Sequence, residues 1–305
     1  MKVSIIIPMK NEEDCIESCL KAVLNNSYTR EQYEIICIDN GSVDNTVELA
    51  KKYTTNVFQV PDKTISCLRN YGAQKAQGEY LAFVDADCVV DGEWLKAASI
   101  YFDNQDVVAF GSTPEIPYDS SWVQKAWYIN KGKRREVQLV EWLESMNLFV
   151  RKDVFWSLDG FNENLETCED VDLCYRIGAK YKIVSDKRIK SIHSGEAKTL
   201  LEFFKKEMWR GKSNITGLKE HGLRLKELPS IVLPLYYLSI PIISFVALFL
   251  FNFGLAALSF VILLIMPPLL ISTCLSYKVS KYDYILKSTV VYFVYFIARA
   301  VAILH

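Results

Sequence analysis

The chain has 305 residues, and its 35 Lys and Arg nearly balance its 36 Asp and Glu, which argues against a nucleic-acid-binding protein with a basic surface. The eight cysteines include no Cys-x-x-Cys pair and no Cys/His cluster with zinc spacing. This pattern argues against a disulfide scaffold or a zinc site and favours free thiols in a reducing compartment. The length allows one large domain or two modest ones.

Strand and helix patterns alternate four times within the first 110 residues. Apolar, β-branched runs predict strands at 3–7, where Pro8 should end the strand, and at 35–38, 57–60, 80–84 and 107–110. Capping residues predict helices after Asn11, at about 44–53 and at 66–77. The alternation is typical of parallel βαβ units, so we expect an α/β fold with a mostly parallel, doubly wound sheet.

The fourth predicted strand runs directly into Asp85 and Asp87. If strand geometry continues, the two carboxylates share one face and can converge on a bound cation. Aspartate at a strand exit is also common in turns, and a turn explains the pattern almost as well. Asp39, at the end of the second strand, should open onto the same sheet edge. A shared edge favours a binding site over a simple turn.

Two later segments allow both a structural and a functional interpretation. Residues 112–147 contain three tryptophans and the basic cluster Lys131, Lys133, Arg134 and Arg135, which suits a solvated helix face or a substrate-contacting segment. After a short strand at 148–150 and a helix from Arg151, Glu169 and Asp170 open another helix. Acids in a first turn interact favourably with the helix dipole whatever else they do.

Residues 200–210 form an amphipathic helix pattern, with Leu200, Leu201, Phe204 and Met208 on one face and Lys205, Lys206 and Glu207 opposite. Such a helix packs on a core or lies in a membrane interface.

Three apolar segments at 228–251, 253–275 and 284–304 predict transmembrane helices. Only the third contains charges, Lys287 and Arg299, and both can snorkel towards an interface. Basic residues before the first segment predict a multi-pass protein of the inner (plasma) membrane, with its N-terminal domain in the cytoplasm and its C-terminus on the other side. The expected domains are 1–212, a linker at 213–227 and a membrane region at 228–305.

Several short motifs occur in a fixed order: Val3-Ser-Ile-Ile-Ile-Pro8 with Asn11-Glu12, the stretch 35–46 around Asp39, Arg69-Asn70 before Asp85-Ala86-Asp87, Gly160-Phe161, and the stretch 169–176 that starts with Glu169-Asp170. Together they resemble the family 2 glycosyltransferases with the GT-A fold, over about residues 1–212. The resemblance implies nucleotide contacts for Pro8, Glu12, Asp39, Arg69, Asp85 and Ala86. It also implies metal binding by Asp87, Asp85 and His193, and a catalytic base at Asp170 with Glu169 beside it.

The chemistry agrees with this resemblance. A departing nucleoside diphosphate develops negative charge, which Mg²⁺ or Mn²⁺ held by carboxylates would neutralise. An acceptor hydroxyl needs a base to remove its proton, and Asp170 can supply it. A single in-line displacement would invert the anomeric centre. The resemblance therefore implies an inverting transferase that uses a nucleotide-sugar donor.

One departure from the family pattern bears on the acceptor. Processive members have Gln-x-x-Arg-Trp after the base, whereas here the stretch reads Glu207-Met-Trp209-Arg210-Gly. We therefore expect transfer of single sugars to a lipid-linked (polyprenyl) saccharide or other lipid in cell-envelope glycan synthesis, with membrane lipids and no nucleic acid as partners. Two alternatives remain open, a transferase that uses polyprenyl phosphate as its acceptor and an inactive nucleotide-binding scaffold.

Overall fold

The computed structural model describes residues 2–129, 135–211, 228–250 and 253–304. The chain divides into two compact units. The first unit comprises Met1–Pro117 and Arg135–Gly195, and the helical unit comprises Tyr118–Arg134 and Glu196–His305. The expected linker at 213–227 and the basic residues Lys131, Lys133 and Arg134 lie outside the described residues.

All ten strands of the described part of the chain belong to the first unit. They are β1 Val3–Met9, β2 Tyr33–Asp39, β3 Val57–Gln59, β4 Tyr80–Val84, β5 Cys88–Val90, β6 Val107–Gly111, β7 Val137–Val140, β8 Asn147–Arg151, β9 Lys182–Asp186 and β10 Ser191–His193.

Six of the described helices belong to the first unit and the others to the helical unit. In chain order they are α1 Ile16–Leu24, α2 Thr46–Lys51, α3 Ile65–Lys75, α4 Trp94–Ser99, α5 Trp122–Tyr128, α6 Lys152–Ser157, α7 Glu169–Gly178, α8 Leu200–Gly211, α9 Leu228–Leu250, α10 Phe253–Val279 and α11 Ile285–Ile303. Helix α5 and helices α8 to α11 form the helical unit.

Eight strands form one mixed sheet in the order β3-β2-β1-β4-β8-β6-β9-β7. The pairs β1–β2, β1–β4, β2–β3 and β6–β9 are parallel. Strand β8 lies antiparallel between β4 and β6, and β7 is antiparallel to β9. The expected α/β fold with a mostly parallel sheet is confirmed, and two antiparallel strands, β7 and β8, are added to it.

Strand β4 is buried along its whole length, as its uninterrupted apolar run predicts. Tyr80, Ala82 and Val84 pack into the core on one face of the sheet. Leu81 and Phe83 pack into the core on the other face. Both faces hold β4 firmly, so the acidic residues that follow it are anchored at a defined position on the sheet edge.

Two expectations about the first βα unit are wrong. Pro8 does not end β1 but lies within it, paired with Ile38 of β2, beyond the last residue of β1 that pairs with β4. The first helix starts at Ile16 and not directly after Asn11. Asn11 has a positive φ of 54°, and its side-chain oxygen accepts a hydrogen bond from the backbone N–H of Val43. Asn11 therefore joins two loops instead of capping α1.

The helical unit contains three helices that are long and apolar enough to cross a membrane: Val232–Leu250, Phe253–Val279 and Tyr282–Ile303. They match the three segments expected from the sequence and indicate membrane association.

The orientation expected for α8 is wrong in one respect. Phe203, Glu207 and Gly211 form its buried face, and Glu207 accepts hydrogen bonds from Arg299 of α11 at 2.8 and 3.2 Å. Glu207 is therefore not on the outward polar face, and Arg299 pairs inside the helical unit instead of snorkelling. Leu201 and Trp209 remain exposed on α8 beside Glu202 and Lys205, so its outer surface carries two large apolar side chains among charged ones.

Candidate active site

A cavity of about 210 Å³ opens at the carboxyl ends of the central strands of the sheet. Parallel strands place the residues that follow them at one edge, which is where open α/β sheets bind ligands. The cavity is lined by Pro8, Met9, Lys10, Glu12, Asn40, Ile65, Leu68, Asp85, Ala86 and Asp87. Five of the ten residues that the sequence singles out are among these: Pro8, Glu12, Asp85, Ala86 and Asp87.

Asp39 lies at the end of β2 and is fully buried. Its carboxylate accepts hydrogen bonds from the backbone N–H groups of Gly41 at 3.0 Å and Ser42 at 3.1 Å. Gly41 has a φ of 77°, a left-handed conformation that glycine adopts at little cost. Asp39 therefore orders the loop after β2, while its neighbour Asn40 lines the cavity.

Arg69 connects the two acidic segments. Its guanidinium donates one hydrogen bond to Asp85 at 2.7 Å and another to Glu169 at 2.6 Å. The Arg69 side chain is only 3% exposed. Arg69 lies on α3, Asp85 at the end of β4 and Glu169 in the first turn of α7. The guanidinium of Arg69 therefore links three elements.

Asp87 lies beside His193, with 3.1 Å between its Oδ2 atom and the Nε2 atom of the imidazole. The pairing of β10 with β5, in which His193 is opposite Cys88, brings the two side chains together. Gly195 approaches the same pair so closely that a Cβ atom on it would lie 1.9 Å from Oδ2 of Asp87. A side chain at position 195 would occupy the place that the Asp87 carboxylate takes.

These residues fit a divalent cation. Carboxylate oxygens and an imidazole nitrogen suit Mn²⁺, and carboxylates suit Mg²⁺, which completes its shell with water and phosphate. Burial and the nearby charges of Asp87 and Asp85 raise the pKa of Glu12 to about 7. That shift reflects crowded negative charge, which a cation would relieve. Among the described residues no three His, Cys, Asp or Glu side chains form a ready metal cluster.

Asp170, the second residue of α7, is the strongest candidate for a base. Its carboxylate accepts a hydrogen bond from the backbone N–H of Ser145 at 3.1 Å. Burial and the adjacent charge of Glu169 raise the pKa of Asp170 to about 7. A carboxylate with a pKa near neutrality is well matched to take a proton from a hydroxyl group.

Sequence reasoning did not identify Ser145, Asn70 or Gly195 as site residues. Ser145 acts through its backbone N–H, which no side-chain motif reveals. Asn70 belongs to the motif Arg69-Asn70, but the motif does not indicate a role for it. In the structure its side-chain amide donates to the backbone oxygen of Phe161 at 2.9 Å. Gly195 lies two residues after His193 in the sequence, and a glycine this close to a suspected metal ligand is the signal that could have identified it.

Comparisons with known proteins identify the family of this chain. The model of the family described as glycosyl transferase family 2 matches residues 4–156, just over half of the chain. The chain is 29% identical to the glycosyltransferase AglE of Haloferax volcanii over 70% of this chain and 73% of that protein. It is 30% identical to the β-monoglucosyldiacylglycerol synthase of Nostoc over 57% of this chain and 41% of the synthase. A poly(ribitol-phosphate) β-glucosyltransferase of Bacillus spizizenii is 34% identical, but the match spans 38% of this chain and only 20% of that enzyme.

Solved structures support the fold. The mannosyltransferase PcManGT from Pyrobaculum calidifontis, determined with GDP-Man and Mn²⁺, has a TM-score of 0.67 at 16% identity, over 98% of this chain and 86% of PcManGT. Staphylococcus aureus TarS, determined with UDP-GlcNAc, has a TM-score of 0.53 at 17% identity, over 95% of this chain and 90% of that structure. The fold is therefore GT-A-like. Together with the cavity at the sheet edge, the family match and the relatives show that this chain belongs to glycosyl transferase family 2 and is a nucleotide-sugar glycosyltransferase.

Proposed function

We propose that this protein is a membrane-anchored, inverting glycosyltransferase that transfers a single sugar from a nucleotide-sugar donor to a lipid-linked acceptor. The observation that carries the proposal is the pairing of the cavity beside Asp85 and Asp87 with the half-buried carboxylate of Asp170, whose pKa is raised to about 7. A donor site and a base of suitable pKa are the two parts that a single displacement requires.

The cavity is suited to the nucleotide of the donor. Ile65 and Leu68 line one wall and give it an apolar surface for a base, while Asn40 and Glu12 supply polar groups for a ribose. Asp39 holds the loop that carries Asn40. We assign Pro8, Glu12, Asp85 and Ala86 to the nucleotide on this basis, and Asp39 to shaping the loop beside it.

Asp87 and His193 would hold the divalent cation, Mg²⁺ or Mn²⁺, with Asp85 close by. When bound, the cation neutralises negative charge on the departing diphosphate. Asp85 already forms an ion pair with Arg69, so Asp87 is the better candidate for direct coordination of the cation. Gly195 keeps the carboxylate of Asp87 in position by having no side chain.

Asp170 would accept the proton of the acceptor hydroxyl as that oxygen attacks the anomeric carbon. The bond from the anomeric carbon to the diphosphate oxygen breaks as the new glycosidic bond forms. Attack from the side opposite the leaving group inverts the anomeric centre. The backbone N–H of Ser145 orients the carboxylate, and general-base assistance of this kind typically contributes about 10²–10⁴-fold to the rate.

A lipid acceptor is supported by the three apolar helices of the helical unit and by two relatives with lipid products or substrates in their names. One is the β-monoglucosyldiacylglycerol synthase of Nostoc, and another is a cholesterol galactosyltransferase of Borreliella burgdorferi, 33% identical over 114 residues. We propose that α9 to α11 anchor the protein in the inner membrane as a multi-pass region, with the first unit in the cytoplasm and the exposed apolar side of α8 against the lipid surface.

The test uses the purified full chain in lipid nanodiscs with Mn²⁺ or Mg²⁺ and a panel of UDP-, GDP-, dTDP- and CMP-sugars. Polyprenyl phosphate, a polyprenyl-linked saccharide and diacylglycerol serve as acceptors. We expect transfer from one donor to a lipid, with inversion detected by NMR of the product. Asp170→Asn should retain nucleotide binding and lose transfer, whereas the exposed neighbour Glu166→Gln should remain active. Failure to bind or cleave any donor would contradict the proposal.

A further inference from the structure

We propose that Arg69 is a positioning residue that fixes Asp170 relative to the Asp85–Asp87 segment, and that Glu169 serves this link instead of proton transfer. The inference rests on the proposed function, because it concerns the residues that hold the base of that reaction in place. It differs from the role implied by the family resemblance, in which Arg69 contacts the nucleotide.

The geometry of Arg69 favours an internal role. Its two terminal nitrogen atoms bind different carboxylates, Asp85 at 2.7 Å and Glu169 at 2.6 Å. A guanidinium is planar and rigid, so these two contacts fix the separation of the acids as well as neutralising them. The side chain is 3% exposed. A side chain this deeply buried, with both terminal nitrogen atoms directed at carboxylates, presents little surface to a phosphate or a base.

Helix α3, which carries Arg69, also orders the segment that leads into α7. The amide of Asn70 donates to the backbone oxygen of Phe161 at 2.9 Å and accepts from the N–H of Phe161 at 3.0 Å. Gly160 has a φ of 66°, and a Cβ atom there would lie 2.7 Å from Oδ1 of Asn70. The segment therefore approaches α3 so closely that only glycine fits at position 160.

The same helix contacts the donor cavity. Ile65 and Leu68 of α3 line the cavity, while Arg69 and Asn70 hold α7 and the segment before it. A base must be held close to its ideal position, because a displacement of about 1 Å can lower a rate about 100-fold. Helix α3 provides a rigid connection between the place where the donor binds and the place where the proton is removed.

Electrostatics give this link a measurable signature. The charged or titratable groups that face Asp170 are Glu169 and Cys174 on its own helix, Arg69 on α3 and Glu144 before β8. Glu169 and Glu144 raise the pKa of Asp170, and Arg69 lowers it. Replacing Glu169 with neutral Gln removes a negative charge beside Asp170, so the pKa of Asp170 should fall.

The experiment compares Arg69→Lys, Glu169→Gln and the control Lys75→Gln on the exposed end of α3, each as the full chain in nanodiscs. Lysine retains the charge but cannot bind two carboxylates in a fork, so kcat should fall about 10- to 100-fold. The KM for the donor and the affinity for UDP or GDP with Mn²⁺ should change less than about threefold. In this proposal Arg69 does not contact the donor, so its replacement leaves ground-state binding of the donor intact. Glu169→Gln should move the acidic limb of the kcat profile to lower pH. The control should match wild type.

Three results would overturn the inference. A higher donor KM with unchanged kcat in Arg69→Lys would place Arg69 on the donor. Loss of turnover at every pH in Glu169→Gln, with nucleotide binding intact, would make Glu169 the base. If Glu169→Gln is active and its kcat profile has the same pH dependence as wild type, Glu169 does not act on Asp170. This variant tests the inference even if Arg69→Lys does not fold. Absence of transfer by wild type would instead contradict the proposed function.

Discussion

Replacing Gly195 with alanine should disable the site without unfolding the protein. Gly195 is exposed, and an added Cβ would lie 1.9 Å from Oδ2 of Asp87 and 2.9 Å from Nε2 of His193. Carbon and oxygen atoms in contact are about 3.5 Å apart, so the Asp87 carboxylate would have to retreat by roughly 1.5 Å. A displacement of about 1 Å can cost about 100-fold in rate, which corresponds to about 2.7 kcal/mol in the activation free energy.

The assay measures initial rates of transfer while Mn²⁺ is varied, together with the unfolding temperature of each variant. Gly195→Ala should lose at least about 100-fold in kcat or require far more Mn²⁺, with an unfolding temperature close to that of wild type. Gly92→Ala is the matched control, because a Cβ at that glycine meets nothing within 4 Å. Wild-type rates and an unchanged Mn²⁺ requirement in Gly195→Ala would refute the assignment of Asp87 to the cation.

Two further predictions concern pH and the helical unit. Because burial and Glu169 raise the pKa of Asp170 to about 7, a profile of initial rates should show kcat rising with pH through about 7, and a rate independent of pH between about 5 and 8 would contradict this. The raised pKa of Asp170 stabilises the folded protein fully below about pH 4, and this stabilisation is lost as pH rises through about 7. The unfolding temperature of Asp170→Asn should therefore lack this component of the pH dependence seen in wild type. Glu207→Gln removes the buried carboxylate that pairs with Arg299 and Arg210, and it should lower the free energy of unfolding by about 3–5 kcal/mol. Thermal denaturation in nanodiscs would measure this change, and the exposed control Lys205→Gln should leave the unfolding temperature unchanged.

Local sequence patterns were sufficient for the elements around the donor cavity. The boundaries of β4 match the predicted strand at 80–84, because an apolar run buried on both faces and ended by acids has few alternatives. The expected meeting of the ends of the second and fourth strands at one edge is also observed, since Asn40, Asp85 and Asp87 line one cavity. These features depend on neighbours within a few residues or on the regular geometry of βαβ units, and a single sequence reports both.

The features that were missed depend on contacts between distant parts of the chain. Strands β7 and β8 enter the sheet antiparallel, a choice made by pairing partners that a local pattern does not identify. Glu207 was assigned to the outward face of α8, since its partner Arg299 is 92 residues away. In the sequence, Glu169 is explained by its favourable interaction with the dipole of the helix it begins. Its second role depends on the ion pair with Arg69, which lies 100 residues earlier.

All ten residues that line the cavity lie between positions 8 and 87, whereas Ser145, Asp170 and His193 come from the later part of the chain. The cavity proposed for the donor and the base proposed for the acceptor therefore come from separate stretches of the chain. Recombination after about residue 90 would exchange the proposed base together with His193 and would leave the residues that line the cavity unchanged. The pairs Arg69–Glu169 and Asp87–His193 both cross that boundary, so a chimaera joined there must keep all four residues, whatever else it replaces.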